Sequence, residues 1–270
     1  MSLRTARDLL GEAAARLAAT GVDSPRLDAE LLLAEATGAN RAEIAADPAR
    51  PVGAPEAAAF ERMLARRERR EPVAYILGRR GFRMIELGVD RRVLVPRPET
   101  ELLVEVAAEL APRTVFEVGT GSGAVALAVA SELPETSVTA TDTSSAALSV
   151  ARANARRLGL EGRVAFLAGS LAAGHFDLVL ANLPYVAERD RDSLPPEVAL
   201  WEPAEALFAG PDGLEAIRGV VPRLLCETAA LEVGAGQAGA VGELLRDAGF
   251  GSAEARRDLA GIERVVVARR

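Results

Sequence analysis

From Arg113 to the end of the chain, short apolar runs alternate with helical segments, and this alternation constrains the fold more than any other feature. Seven runs are predicted as strands, at residues 114–118, 137–141, 163–168, 176–181, 229–233, 252–257 and 264–268. Helices are predicted between them at residues 124–132, 144–158, 212–225 and 237–248. Strands that alternate with helices form a parallel sheet with helices on both faces. The predicted fold class is therefore α/β, with a doubly wound, mostly parallel seven-stranded sheet.

The chain before this alternation has a different pattern. Residues 1–72 carry apolar positions at helical spacing, with Gly21 and Gly38 ending two helices and Asn40 capping a third. They are predicted to form a small helical bundle, which serves either as a structural cap or as a docking module for a protein substrate. Residues 73–95 hold short β-type runs broken by glycines and are predicted as a β-hairpin linker. Residues 96–270 form the predicted α/β domain.

Charge and rare residue types exclude several classes of protein. The formal net charge is −7 and there is no Lys, which argues against a general nucleic-acid binder. A single Cys226 and a single His175 support neither a disulfide framework nor a zinc site, so no metal is predicted. The chain shows no signal peptide and no apolar run of membrane-spanning length. We therefore expect a cytoplasmic protein without a membrane partner.

The predicted strand at residues 176–181 runs directly into Asn182, Leu183, Pro184 and Tyr185. Pro184 lacks an N–H and keeps Leu183 out of the helical region, so the chain leaves the strand extended. Asn182 then lies at the carboxyl end of the strand, where ligands bind in open α/β sheets. An ordinary strand-to-loop turn is the alternative interpretation of these four residues.

A glycine-rich turn joins the first predicted strand of the α/β domain to a helix. After Glu117 and Val118 the turn reads Gly119-Thr120-Gly121-Ser122-Gly123, and Asp142 follows 23 positions after Gly119 at the end of the next strand. Glycines admit a ligand close to the backbone, and a carboxylate at that place accepts ribose hydroxyls. The spacing fits both a dinucleotide and S-adenosylmethionine, and a tight turn without a ligand is a third interpretation. The acidic Glu117 and the G-x-G-x-G spacing favour S-adenosylmethionine.

These two motifs together resemble the class I methyltransferases that methylate planar amino or amide nitrogens. Three further stretches are similar to one family in that group, the peptide chain release factor glutamine methyltransferases. They are VLVPRPETELLVE at residues 93–105, WEPAEALFAGPDGL at 201–214 and DLAGIERVVVARR at 258–270. The helical residues at the N-terminus and PVAYILG are also similar, so the resemblance covers nearly the whole chain.

The resemblance implies a Rossmann-like methyltransferase sheet over residues 96–270 and S-adenosylmethionine as the cofactor. It implies methylation of the Gln side-chain amide in the Gly-Gly-Gln motif of release factors, the protein partners, which tunes translation termination. The cofactor-binding residues expected on this basis are Glu117, Gly119, Thr120, Gly121, Ser122, Gly123, Asp142, Ser170, Leu171 and Asn182. The residues expected to hold the substrate glutamine are Asn182, Leu183, Pro184 and Tyr185.

Two positions depart from the family's usual residues. Leu183 replaces the first Pro of Asn-Pro-Pro-Tyr, and Ser170-Leu171 replace an acidic and aromatic pair near the adenine. We expect aliphatic packing and backbone groups to hold the adenine instead. In the expected mechanism, Asn182 Oδ1 and the Leu183 carbonyl each accept one N–H of the substrate amide, and Tyr185 packs beside its plane.

Other functions remain open on sequence alone. An adenine or guanine amino methyltransferase acting on nucleic acid is the main alternative, although the acidic composition and the lack of Lys count against it. A nicotinamide-dependent oxidoreductase would need a hydride-site acid or base, and we identify none. A binding protein without catalytic activity is the third alternative, and the expected oligomeric state is a monomer.

Overall fold

A computed structural model of the chain describes residues 4–270, so the first three residues of the predicted bundle lie outside the described residues. The described chain forms two compact units. The helical unit comprises the residues up to Gly78 together with Pro195–Trp201. The sheet unit comprises Arg79–Leu194 and Glu202–Arg270.

The helices are α1 (Ala6–Ala19), α2 (Pro25–Thr37), α3 (Arg41–Ala46), α4 (Ala54–Glu68), α5 (Val73–Leu77), α6 (Glu101–Leu110), α7 (Ala124–Glu132), α8 (Ser145–Leu158), α9 (Pro196–Trp201), α10 (Glu215–Val220) and α11 (Ala238–Asp247). The strands are β1 (Arg79–Phe82), β2 (Ile85–Gly88), β3 (Thr114–Val118), β4 (Ser137–Asp142), β5 (Val164–Ala168), β6 (Phe176–Ala181), β7 (Cys226–Glu232), β8 (Ser252–Arg257) and β9 (Glu263–Arg269). No helix among residues 4–270 is long and apolar enough to span a membrane.

Capping residues mark several helix ends in the helical unit. Thr5 and Asn40 each form a capping box, and Gly38 ends α2 in the left-handed conformation. The inward faces of α1, α2 and α4 bury leucines and Phe60 in one apolar cluster. The unit therefore has its own hydrophobic core.

The prediction of β-type structure at residues 73–77 is wrong. These residues form α5, which buries Tyr75 and Ile76 and is ended by Gly78 in the left-handed conformation. A five-residue apolar run fits a short strand and a buried helical turn equally well, and burial decides here. The hairpin itself is present but shorter than predicted, because it consists of β1 and β2 alone, with Arg83 at a positive φ of 50° in its turn.

Within residues 4–270, seven strands of the sheet unit form one sheet in the order β5-β4-β3-β6-β7-β9-β8. The first five strands of that order pair in parallel, whereas β9 is antiparallel to both of its neighbours. The predicted α/β class with a doubly wound, mostly parallel seven-stranded sheet is confirmed. The order of strands places the carboxyl ends of β4, β3, β6 and β7 side by side at one edge.

The structure corrects the prediction of one helix over residues 212–225. Only α10 and a 3-10 turn at Val221–Arg223 form there, because the Asp212 side chain accepts from Leu214 N and Pro222 interrupts helical bonding. The sequence predicts no helix or strand between residue 185 and residue 212. This segment contains α9 and two 3-10 turns, at Glu188–Ser193 and Ala204–Ala206.

Candidate active site

A cavity of about 750 Å³ opens in the sheet unit beside the carboxyl ends of β3, β4 and β6. The predicted site residues that line it are Glu117, Gly119, Thr120, Gly121, Ser122, Asp142, Ser170, Asn182, Leu183 and Pro184. Gly123, Leu171 and Tyr185 are not part of the lining. The fold thus brings the glycine-rich turn and the Asn-x-Pro-Tyr segment to the same cavity.

The three glycines of the turn have different physical roles. Gly119 and Gly121 line the cavity at positive φ values of 74° and 55°. A Cβ added at Gly121 would meet no atom within 4 Å, so the backbone there faces open space. Gly123 precedes α7 with a φ of 84°, and a Cβ there would lie only 2.9 Å from Leu127 Cδ1. Gly123 therefore serves helix packing, and the first two glycines form the cradle.

The Glu117 carboxyl lies at the end of β3 and is 3% exposed. Its Oε2 accepts from Thr120 Oγ1 at 2.6 Å and from Ala126 N at 3.1 Å. Burial raises the pKa of Glu117 to about 8, against the effect of these two hydrogen bonds. No cation pairs with Glu117 in the part of the chain that the structure describes, so a buried acidic group beside the cavity lacks a countercharge.

Asp142 ends β4 and holds the loops on both sides of it. Its Oδ2 accepts from Gly121 N at 2.8 Å, and its Oδ1 accepts from Ser144 N at 2.8 Å. The carboxylate is half-buried and keeps lone pairs that no protein donor uses. Asp142 can therefore shape the glycine cradle and still accept hydroxyl groups from a ligand.

The Asn182 side chain is fixed at one end and open at the other. Its Nδ2 donates to Thr100 Oγ1 at 3.1 Å. Among the described residues, no donor reaches Asn182 Oδ1 or the Leu183 carbonyl oxygen. The Leu183 side chain packs against Gly119, where an added Cβ would lie 3.3 Å from Leu183 Cδ2. Two unused acceptors therefore stand beside the glycine cradle.

Tyr185 is turned away from the cavity. Its hydroxyl donates to Glu232 Oε1 at 3.3 Å, and burial and the charge of Glu232 raise the pKa of Tyr185. Its carbonyl oxygen accepts from Gln237 Nε2 at 2.9 Å. A Cβ at Gly213 would collide with that carbonyl oxygen. The structure thus places Tyr185 as an anchor of the loop behind the cavity, while the sequence predicted contact with the substrate.

Of the two residues expected near the adenine, one lines the cavity and the other does not. Ser170 lines the cavity, whereas Leu171 packs against the apolar cluster of β6, β7 and α11. The lining of the cavity also includes the apolar side chains Val125, Ala147, Ala216 and Val220. This lining is compatible with the aliphatic packing predicted for an adenine.

Several residues that shape the site were missed or left undecided by sequence reasoning. Arg97, which lines the cavity, donates to both carboxylate oxygens of the buried Glu202 at 2.7 Å. Thr100, which also lines the cavity, accepts from Asn182, and Glu232 accepts from the Tyr185 hydroxyl. The signal for Glu232 was an acidic residue at the end of the apolar strand β7, which repeats the pattern of Glu117 in β3.

The sheet order, the glycine cradle and the adjacent Asn-x-Pro-Tyr segment define a Rossmann-like methyltransferase. Two family models match the chain, the PrmC N-terminal domain over residues 8–78 and the methyltransferase small domain over residues 98–200. The chain is 42% identical over 265 residues to the release factor glutamine methyltransferase of Caulobacter vibrioides, covering 93% of this chain and 92% of that protein. It is 41% identical to the enzyme of that name from Deinococcus radiodurans, covering 98% of each. This protein belongs to the release factor glutamine methyltransferase family.

Comparison with solved structures supports the same fold. The catalytic domain of human Mettl16, crystallised with a MAT2A 3′UTR hairpin, matches with a TM-score of 0.58. The match covers 77% of this chain and 80% of that chain at 15% sequence identity. Identity at this level shows a shared fold and gives no information on the substrate of this protein.

Proposed function

We propose that this protein transfers a methyl group from S-adenosylmethionine to the side-chain amide nitrogen of the Gln in the Gly-Gly-Gln motif of peptide chain release factors, which tunes translation termination. One observation carries the proposal beyond family membership. Asn182 presents an unused amide oxygen at the cavity while its nitrogen is held by Thr100. A primary amide has two N–H groups, and the Leu183 carbonyl next to Asn182 is the second free acceptor.

The residues around the cavity fit the proposed cofactor. Gly119 and Gly121 leave a cradle that any side chain would fill, and Asp142 has free acceptor capacity for hydroxyl groups. Glu117 is a buried acid without a countercharge, which suits a ligand that carries positive charge. Thr120, Ser122 and Ser170 complete the proposed set on the cofactor side.

The reaction forms a bond between the amide nitrogen and the methyl carbon, and the carbon–sulfur bond breaks. S-adenosylmethionine, when bound, supplies a methyl group that the positive sulfur has already activated. Asn182 Oδ1 and the Leu183 carbonyl would each accept one N–H, which increases electron density on nitrogen and fixes its orientation. Alignment of this kind contributes up to several kcal/mol to lowering a barrier. The N-methylated amide then loses one proton to water, so no base of matched pKa is required.

Release factors are the proposed partners, and the helical unit is proposed as their docking module. The unit has its own core and also exposes apolar side chains, with Leu27 at 40% and Leu200 at 68%. Leu27→Glu and Leu200→Glu are expected to raise KM for an intact release factor without changing kcat on a short Gly-Gly-Gln peptide. Leu259→Glu, at a fully exposed position of the sheet unit, is the control. Equal KM values for all variants would favour the structural-cap interpretation. A cytoplasmic location and a monomeric state are parts of the same proposal.

The experiment that tests the function is methyl transfer from isotope-labelled S-adenosylmethionine to purified release factor, with the site located by fragmentation mass spectrometry. We expect one methyl group on the Gly-Gly-Gln glutamine. A release factor in which that Gln is replaced by Ala serves as the control and should remain unlabelled. Label on RNA or DNA with none on the release factor would instead support the nucleic-acid methyltransferase, whose binding should weaken steeply with salt.

A further inference from the structure

A buried carboxyl group lies behind the Asn-x-Pro-Tyr segment and has no assigned role. Glu232, the last residue of β7, is 2% exposed and does not line the cavity. Its Oε1 accepts from the Tyr185 hydroxyl, and its Oε2 is buried without a hydrogen bond of regular geometry. A buried carboxyl group with one oxygen that lacks a hydrogen bond destabilises the folded protein. Such a group is expected to have a role that offsets this cost.

Thr100 connects this carboxyl group with Asn182. Thr100 is 4% exposed, and its hydroxyl oxygen accepts from Asn182 Nδ2 at 3.1 Å. It also lies close enough to Glu232 to stabilise the charged carboxylate and lower its pKa. A hydroxyl has one proton to donate, and an ionised carboxylate can only accept. We therefore expect the Thr100 proton to point to Glu232, whose Oε2 has no other donor, and the Thr100 oxygen to accept from Asn182.

This direction of hydrogen bonding determines which end of the Asn182 amide faces the cavity. If the amide rotated by half a turn, Asn182 Oδ1 would face the Thr100 oxygen, and two acceptors would meet without a proton between them. The rotated amide would also present Nδ2 to the cavity, where it would oppose the N–H groups of a substrate amide. Only the observed orientation satisfies Thr100 and leaves an acceptor in the cavity.

We propose that Thr100 and Glu232 are positioning residues that lock the Asn182 side-chain amide with Oδ1 toward the cavity. The proposal depends on the proposed function in one respect, because the locked orientation is useful only if the site presents an acceptor to a substrate amide. Its physical basis is the hydrogen bond from Asn182 Nδ2 to Thr100, together with the buried Glu232 carboxylate, which accepts from Tyr185 and has an Oε2 available to accept the Thr100 proton. The contacts span sequence separations of 82 and 47 positions, so the folded sheet assembles them.

The ionisation of Glu232 adds a pH dependence. Burial raises the pKa of Glu232 to about 7, the hydrogen bonds from Thr100 and Tyr185 oppose the rise, Glu99 adds to it and Arg264 reduces it. A protonated Glu232 would either donate its own proton to Thr100 or no longer fix the direction of the Thr100 proton. In both cases the preference for one orientation of the Asn182 amide would be lost. The lock is therefore complete above this pKa and weakens as the pH falls below it.

The first test compares Thr100→Val, which removes the hydroxyl at nearly constant shape, with Thr100→Ser, which keeps it. We expect Thr100→Val to lower kcat on release factor about 30-fold, or about 2 kcal/mol, with unchanged affinity for S-adenosylmethionine. Thr100→Ser should stay within about threefold of the wild type. Thr136→Val is the matched control, because Thr136 is equally buried but donates to Pro112 O outside the cavity lining. Equal kcat in Thr100→Val and the wild type would overturn the lock.

A second measurement observes the amide directly and needs no activity. In a ¹⁵N-labelled protein the side-chain NH₂ signal of Asn182 is assigned by its disappearance in Asn182→Ala. We expect this signal to be protected from solvent exchange in the wild type and in Thr100→Ser, and to shift and lose protection in Thr100→Val. An unchanged signal in Thr100→Val would overturn the proposal. If the wild type failed to methylate release factors, the proposed function would fail, whereas this signal would still decide whether the lock exists.

The third variant, Glu232→Gln, tests the carboxylate. Its side chain keeps the size of Glu232 but cannot ionise. We expect a kcat that is lower than that of the wild type above pH 7 and that no longer changes with pH between 6 and 8. If Glu232→Gln retained the pH profile of the wild type, Glu232 would have no part in the lock.

Discussion

The buried carboxyl groups of the helical unit pair with arginines, whereas two buried carboxyl groups of the sheet unit, unlike Glu202 with its partner Arg97, do not. In the helical unit, Arg67 donates to Asp28 at 2.7 Å and to Glu197 at 2.7 Å, and Arg70 donates to the same Glu197. Burial alone would raise the pKa of Glu197, but the hydrogen bonds from Arg70 and Arg67 outweigh it and lower the pKa. In the sheet unit, Glu117 and Glu232 are as deeply buried, yet neither forms an ion pair within residues 4–270.

The difference separates groups that hold the fold from groups that are available to a ligand. A buried charge with an opposite partner is neutralised inside the protein, and its removal leaves the partner uncompensated. A buried carboxyl group without such a partner makes the protein less stable but can respond to a bound cation or a hydrogen-bond chain. We therefore expect substitutions in the helical unit to change stability and substitutions around the cavity to change binding or chemistry.

The largest effect is expected for Asn182→Ala. The variant loses the acceptor that we propose for the substrate amide, so kcat should fall by about 10⁴-fold, or about 5 kcal/mol. Its melting temperature and its affinity for S-adenosylmethionine should change little, because Asn182 makes a single side-chain hydrogen bond. Asn154→Ala is the contrasting control. Asn154 forms hydrogen bonds with Gly88 and Ser122, so its replacement by Ala should lower the melting temperature. Full activity of Asn182→Ala would disprove the amide clamp.

Arg67→Met should have the largest effect on stability. It leaves the buried carboxylate of Asp28 without its partner, and Glu197 with Arg70 alone, and is expected to lower the free energy of unfolding by about 3–5 kcal/mol. Arg26→Met removes the exposed pair with Glu30 in the same unit and should cost less than about 1 kcal/mol. Denaturant unfolding of both variants measures the difference. Similar losses of unfolding free energy in the two variants would show that the buried and the exposed ion pair contribute equally to stability.

Glu117→Gln should stabilise the protein at high pH. The unfolded chain ionises this carboxyl near its ordinary pKa of 4.5, whereas burial holds the pKa of the folded form at about 8. The folded state therefore binds the proton more tightly, and the stability that Glu117 contributes is lost as the pH rises from 4.5 to 8. Gln does not titrate, so the variant should gain a few kcal/mol over the wild type at pH 8 compared with pH 5. If the difference in the free energy of unfolding between the variant and the wild type were the same at pH 5 and pH 8, Glu117 would ionise normally in the folded protein.

Asp142→Ala should weaken the binding of S-adenosylmethionine by about 1.5–3 kcal/mol through loss of a charge-assisted hydrogen bond. Asp177→Ala is a matched control. Each of these carboxylates accepts two backbone N–H groups, but Asp177 does so at the start of β6 and outside the cavity lining. Calorimetry should give a weaker affinity for Asp142→Ala alone. Equal losses in both variants would mean that Asp142 acts only through loop structure.

The smallest effect is expected for Leu183→Pro, which introduces the residue that the family usually carries. The Leu183 N–H makes no hydrogen bond with the rest of the described chain, so Pro removes none. Pro184 already favours an extended conformation at position 183. Activity should stay within about tenfold of the wild type, or about 1.4 kcal/mol. A collapse of kcat with an intact fold would show that the Leu183 side chain, packed on Gly119, is needed for the loop.

Local patterns predicted most of the architecture. The seven strands follow from short apolar runs separated by helices. Asn40 begins a helix through its side-chain hydrogen bond, and Gly38 ends one through its left-handed conformation. The prediction from sequence is wrong at α5, because a five-residue apolar run is too short to show a helical or a strand period. It is also wrong at residues 212–225, where a turn at Asp212 and the residue Pro222 shorten the helix.

The site could be predicted only in part, for a physical reason. Glycines and the ends of strands are local features, so the cradle and the position of Asn182 were accessible from sequence. The roles of Thr100 and Glu232 depend on contacts between residues that are distant in the chain. The orientation of Tyr185 away from the cavity depends on Glu232 in the same way.

The central claim is that Asn182 Oδ1 and the Leu183 carbonyl hold a glutamine side-chain amide. The most direct measurement is a crystal structure of the protein with S-adenosylhomocysteine and a peptide that contains Gly-Gly-Gln. We predict that the glutamine amide nitrogen lies about 2.7–3.2 Å from both oxygens. A glutamine bound elsewhere in the cavity, or an Asn182 that presents Nδ2 to the glutamine carbonyl, would contradict the claim.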